Sequence, residues 1–219
     1  LGIEGIFRDI SERYATAKKM REQIEQMGFF SRKLQDFIEL PADSDIYYAI
    51  GQGLSEVLPN SMIIVNTYNR DTGILTIRAL VGDQARATAR KYLRSDLTGF
   101  SLRVDEPVPE DLIAGKIYPV TQNFNDILSR NFSQEISTAI IRELNLGDFY
   151  YLSLFWKGSF LGNITFGLPK GEILEKIPFI ELYGKAGSYG AGNVERAGWT
   201  AARIGRYAAG SGRFGPVGI

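Results

Sequence analysis

Two hairpin signatures constrain this chain more than any other feature. Residues 62–68 are rich in β-branched side chains, Asn69-Arg70-Asp71-Thr72-Gly73 spells a turn, and residues 74–81 return as a second strand. Residues 149–156 and 160–168 repeat the arrangement about Lys157-Gly158-Ser159. Hairpins near both ends of a domain make its sheet mostly antiparallel. Helical spacing flanks them. Ile46, Ile50, Leu54 and Val57 predict a helix over 45–58, ended by Pro59-Asn60, and residues 173–197 read as a long helix despite several glycines. Between the hairpins, 82–93, 124–130 and 134–144 read as helices, and 99–104 and 112–120 as short extended pieces. This order predicts an α+β fold: a central, mostly antiparallel sheet with N- and C-terminal helices packed on one face. It does not match a parallel βαβ nucleotide fold.

Composition removes several kinds of chemistry. The chain of 219 residues has no His and no Cys. The first absence excludes a Ser-His-Asp triad, an imidazole base, a phosphoacceptor histidine and most zinc sites. The second excludes disulfides, thiolate catalysis and thiolate metal sites, and fits a reducing, cytoplasmic setting. Twenty-five basic side chains balance 25 acidic ones, which argues against a dedicated nucleic-acid binder. No apolar run approaches the roughly 18 residues that span a bilayer, so no membrane contact is expected of this segment.

The N-terminal 41 residues carry a different pattern. Residues 1–8 alternate like a short strand, Asp9 can cap a following helix, and Glu12 completes a capping box. From there Ile10, Ala17, Ile24 and Ile38 recur on one heptad position, with Ser31 between them, and Met20, Met27 and Leu34 recur on its partner. Either this stripe is an intermolecular seam, with Ile10, Ala17, Met20, Ile24, Met27 and Leu34 joining two copies, or the helix lies on its own domain. Gly28 marks a kink or a helix end, and Pro41 stops the run.

These residues resemble two signalling families. Gly5-Ile6-Phe7-Arg8-Asp9-Ile10-Ser11-Glu12-Arg13 is similar to the strand-to-helix exit of a PAS domain, with Ser11 where that family usually has Thr. Residues 45–197 resemble a GAF domain, through the early hairpin, the 150–166 segment with its Leu161-Gly162-Asn163-Ile164, and the Asn193-Val194-Glu195-Arg196-Ala197 ending. The resemblance divides the chain into the last strand of a truncated PAS domain (1–8), a connector helix (9–41), a GAF-like domain (42–197) and a flexible, basic, glycine-rich tail (198–219). It implies a sensory module of a sensor histidine kinase, with an upstream PAS domain and a downstream output domain in the same chain and a homodimeric state. The Cys and His that bilin-binding members use are absent, as is the Cys of methionine-sulfoxide-reducing members. No cyclic-nucleotide signature aligns. No covalent cofactor is expected.

In such a fold the middle region walls off a space against the sheet. It supplies Arg86, Tyr92, Phe100, Tyr118, Phe124 and Phe132, facing Tyr68, Tyr151 and Phe155 on the strands. An apolar concavity with few polar groups suits an unidentified small molecule. The same rings could instead fill a core, and Arg86 with Arg90 could be a solvated helix face instead of an anion clamp. Asp105-Glu106 and Glu110-Asp111 read as a proline-stiffened, solvated loop, not as a metal or acid/base site. Gly184, Gly187 and Gly190 allow either close helix approach or fraying. The sequence thus predicts a non-catalytic sensor, with a ligand-free dimerising spacer as the alternative.

Overall fold

The computed structural model describes residues 3–41, 44–103, 115–120 and 131–210, and leaves the side chains of 3–11, 103 and 195–210 undescribed. Its elements run α1 (Ile3–Ile38), α2 (Ile46–Val57), β1 (Met62–Asn69), β2 (Ile74–Val81), α3 (Asp83–Leu93), β3 (Ser101–Arg103), β4 (Ile117–Pro119), α4 (Gln134–Glu143), β5 (Leu146–Trp156), β6 (Ser159–Pro169) and α5 (Ile177–Gly210). The expected α+β architecture is present.

Local chemistry explains the boundaries. Asp45 accepts from the Tyr47 and Tyr48 amides and Ser133 from Ile136, so both caps satisfy amides that have no partner inside their helices. Asn69 Oδ1 accepts from the Asp71 and Thr72 amides to close the first hairpin. The second turns on Lys157-Gly158, both at positive φ (48° and 79°), as a two-residue turn matched to strand twist requires.

Six strands form one sheet in the order β3-β2-β1-β6-β5-β4, with every pair of neighbours antiparallel. Alternation sends Ile63, Val65, Leu152, Leu154, Ile164 and Phe166 to one face, where they meet Ile46, Ile50 and Leu54 of α2, Phe37 of α1 and Ile180 and Tyr183 of α5. Met62, Ile64, Ile77, Leu80 and Phe149 point the other way, onto Ala85 and Ala89 of α3 and Ile140 and Leu144 of α4. The sheet is therefore covered on both sides, with the two terminal helices together on the first.

The glycines of α5 serve close packing and not fraying. A Cβ at Gly184 would stand 2.8 Å from Leu152, at Gly187 3.3 Å from Ile50, and at Gly190 3.1 Å from Ile46. Gly53 of α2 makes room for the Tyr183 hydroxyl, which donates to the Ile50 carbonyl. Burial pushes that phenol's pKa up, with the charges of Glu56 and Asp36 adding to the effect, so it remains a donor.

Several expectations need correction. Residues 3–8 are helical, not a strand, and Asp9 lies inside α1 and not at its cap. Leu1, Ile3 and Phe7 share strand parity, but Ile3, Ile6, Phe7 and Ile10 stand at helical spacing, and a lone strand would leave its amides unpaired. Gly28 does not end the helix, since α1 runs through it to Ile38. At the other end, 198–210 continue α5 where a flexible tail was expected. Ala201, Ala202, Ala208 and Ala209 outweigh the cost of roughly 1 kcal/mol at each of Gly198 and Gly205. Helix α5 also starts later than residue 173, at Ile177, after Lys176 takes a left-handed backbone (φ 54°). The expected helix at 124–130 and residues 211–219 of the expected tail lie outside the described residues.

Candidate functional site

Residues directly opposite each other in an antiparallel pair share a face. On the face covered by α3 and α4, the registers define four transverse rows. The first joins Met62, Gly167 and Phe149, and the Phe149 ring lies over Gly167, 2.6 Å from where a Cβ would stand. The second runs Leu80, Ile64, Thr165, Tyr151, Tyr118. The third is polar across the three central strands: Ile77, then Asn66, Asn163 and Ser153. The fourth pairs Leu75 with Tyr68 on one side and Phe160 with Phe155 on the other.

The rings in these rows touch. Tyr118 stacks on Tyr151 with centroids 5.2 Å apart and planes 18° apart. Tyr68 meets Phe160 at 5.3 Å, and Phe160 meets Phe155 at 5.2 Å. Asn66 Nδ2 donates to Asn163 Oδ1 at 2.8 Å. The polar row is thus flanked by aromatic rows two residues away along the strands, about 7 Å on each side.

The expected site residues separate into groups. Tyr68, Tyr118, Tyr151 and Phe155 stand on this sheet face. Phe100 stacks on Phe132 at 5.2 Å and packs with Tyr92 against the second core, and Tyr92 donates to Glu143 at 2.6 Å. Arg86 turns away: it binds Asp83 at 2.7 Å, donates to Tyr48 of α2 at 3.4 Å and lies 6.0 Å from that ring. The Asp83 hydrogen bond, followed by Tyr48, raises its pKa further. Phe124 and the acidic loop at 105–111 lie outside the described residues. Among the described residues no three His, Cys, Asp or Glu side chains gather as a metal site.

Sequence reasoning missed Asn66, Asn163, Ser153 and Phe160. The signal was present for Asn66, which shares strand parity with Met62, Ile64 and Tyr68. Recognising it required knowing that both faces of β1 are covered.

The expected relay residues are also distributed. Ile10 has no described side chain, and Ala17 is exposed. Met20, Ile24 and Met27 are exposed by 62%, 62% and 69%, and Ile38 by 65%. Leu34 instead packs against the domain's own core, with Phe29, Phe30 and Phe37. Phe29 meets Phe179 and Tyr183, while Phe37 meets Tyr183 and Gly190, so residue numbers rise together and α1 and α5 pack in parallel. Helix α1 reaches the domain from one end and α5 leaves from the other. No described helix is long and apolar enough to cross a membrane.

No protein-family model and no curated protein matches the sequence. Solved structures do match. The phycoerythrobilin-bound GAF domain of a cyanobacterial phytochrome superposes with a TM-score of 0.55 at 10% identity, over 80% of this chain and 98% of that one. The GAF domain of an Acinetobacter phosphoenolpyruvate-protein phosphotransferase gives 0.50 at 9% identity, over 80% and 97%. The chromophore-binding domain of Stigmatella aurantiaca phytochrome P1 gives 0.50 at 12% identity, over 75% of this chain and 59% of that one. At these identities the likeness is one of backbone architecture, and the chain has a GAF-like fold.

Proposed function

We propose that this chain is a non-catalytic sensory module that acts as a homodimer and relays a change at its sheet face through α1 and α5. The observation that carries the reading is the division of labour on α1. Its Phe29, Phe30 and Phe37 pack against the domain, while Met20, Ile24, Met27 and Ile38 stay exposed. In this reading the helix serves both alternatives, through different residues. An exposed heptad stripe suits a second copy of the same helix. Parallel packing of α1 on α5 supports relay, because a shift of one rod displaces rings seated on the other. A downstream output domain, such as a histidine kinase core, would receive that shift at the end of α5. An upstream PAS domain would deliver its own signal through the start of α1, now as a continuous helix.

The ligand would sit on the face carrying Tyr68, Tyr118, Tyr151, Phe155 and Phe160. A bilin joined through a cysteine of these 219 residues, as some GAF domains hold it, is excluded because they include no Cys. A second reading, a ligand-free dimerising spacer, is favoured by one observation: these rings already pair with one another. Both readings need the dimer. Light scattering should give a dimer mass for the chain and a monomer mass for Ile24→Glu/Met27→Glu, with unchanged far-UV circular dichroism. A variant that stays dimeric overturns the seam.

A further inference from the structure

Asn66 is 6% exposed, and its Oδ1 is buried with no hydrogen-bond partner although its Nδ2 is paired to Asn163. Folded proteins leave few buried acceptors unpaired, because each costs about 1–3 kcal/mol. This one lies at the centre of the sheet, in the polar row, between the stacked Tyr118–Tyr151 pair and the Tyr68–Phe160–Phe155 chain. Three nearby cations are engaged elsewhere: Arg86 with Asp83 and Tyr48, Lys116 with Glu181 at 2.8 Å, and Arg78 over the Tyr47 ring of the helix-side core. An unpaired acceptor also disfavours an anionic ligand, which brings no proton to donate to it.

We propose that Asn66 Oδ1 is the anchor of the sensory site and accepts a hydrogen bond from a neutral, planar heteroaromatic ligand bearing a ring N–H, whose faces lie against Tyr68, Phe155 and Phe160. This rests on the sensory reading and adds the ligand's chemical class. Aromatic neighbours supply dispersion to either face of a flat ring but no directional choice. The amide supplies the choice, since a ring N–H satisfies a buried acceptor and an N-methyl group leaves it unpaired. Discrimination from a missing hydrogen-bond partner in a buried site exceeds that from a missing methylene.

The test is a thermal-shift and calorimetric comparison of indole with N-methylindole, 2-pyridone with 1-methyl-2-pyridone, and benzoate as an anionic ring. The expected result is binding of indole or 2-pyridone, about tenfold weaker binding of the N-methyl partner, as one hydrogen bond predicts, and no benzoate binding. Asn66→Leu should erase the N–H preference. Because that change strands the Asn163 amide, Asn66→Leu/Asn163→Leu serves as the second variant and should behave alike. Equal binding of the N-methyl partners, binding of benzoate, or an unchanged preference in both variants overturns the anchor while leaving a sensory site in place. Silence from these probes alongside hits from a general fragment library also overturns the anchor alone. Silence from both overturns the anchor and the sensory reading together.

Discussion

At the scale of residues, close backbone approach decides more than side-chain volume. Gly162 sits at φ 147°, and a Cβ there would run into the Asn66 carbonyl on the neighbouring strand. Its substitution therefore combines backbone strain with a collision that no rotamer relieves. Gly162→Ala should destabilise the domain by about 2–4 kcal/mol, read as a lowered midpoint in urea unfolding. A loss below about 0.5 kcal/mol would mean that the β1–β6 approach is looser than described. The consequence reaches the candidate site, because Gly162 follows Leu161 and precedes Asn163, and the same approach holds Asn163 in register with Asn66.

At the scale of elements, the second core depends on how α3 and α4 are held together. Lys91 binds Glu143 at 2.6 Å, the Tyr92 hydroxyl donates to the same carboxylate, and Gln84 donates to the Glu143 carbonyl. Lys91, then Tyr92, hold the Glu143 pKa below its ordinary value of 4.5, and the same bond raises that of Lys91. A depressed carboxylate adds stability above its unfolded pKa and loses it as pH falls through the folded value. Wild type should thus exceed Glu143→Gln in stability at pH 7, and the gap should close below pH 4.5. A gap unchanged at pH 3 would assign the difference to packing. Much of the element order was legible in the sequence. Both hairpins follow from alternation and turn residues, and α2 from its spacing and Asp45. The misreadings came where local pattern is ambiguous. Leu1, Ile3 and Phe7 fit a strand while Ile3, Ile6, Phe7 and Ile10 fit a helix, and the continuity of α1 decides between them. The short strands β3 and β4 are too brief to carry a period, and pairing with β2 and β5 defines them. Of the site, the ring positions on strands were readable. The buried Asn66–Asn163 pair was not, since it joins residues far apart in sequence.

At the scale of the whole molecule, two long helices lie side by side on one face of the sheet. Helix α1 has 36 residues and α5 has 34, so each is about 50 Å long. They overlap over Phe29–Phe37 and Phe179–Gly190. Tyr183 stands where α1, α2 and α5 meet, with Phe29 and Phe37 within about 6 Å of its ring. A ligand on the opposite sheet face can bias this joint only by its differential affinity for two arrangements of it. Strands β5 and β1 connect the two sides, since each carries site residues on one face and Leu152, Leu154, Ile63 and Val65 on the other.

In the proposed dimer the exposed stripe of α1 meets its copy in parallel. The absence of native cysteine makes the direct measurement simple. In a parallel seam the two Ile24 positions face each other, within the roughly 4.4–6.8 Å between Cα atoms that a disulfide spans, while Glu22 points away. Under mild oxidation Ile24→Cys should cross-link to a covalent dimer far faster than Glu22→Cys. Equal rates at the two positions, or no cross-linked dimer from Ile24→Cys, would contradict the account.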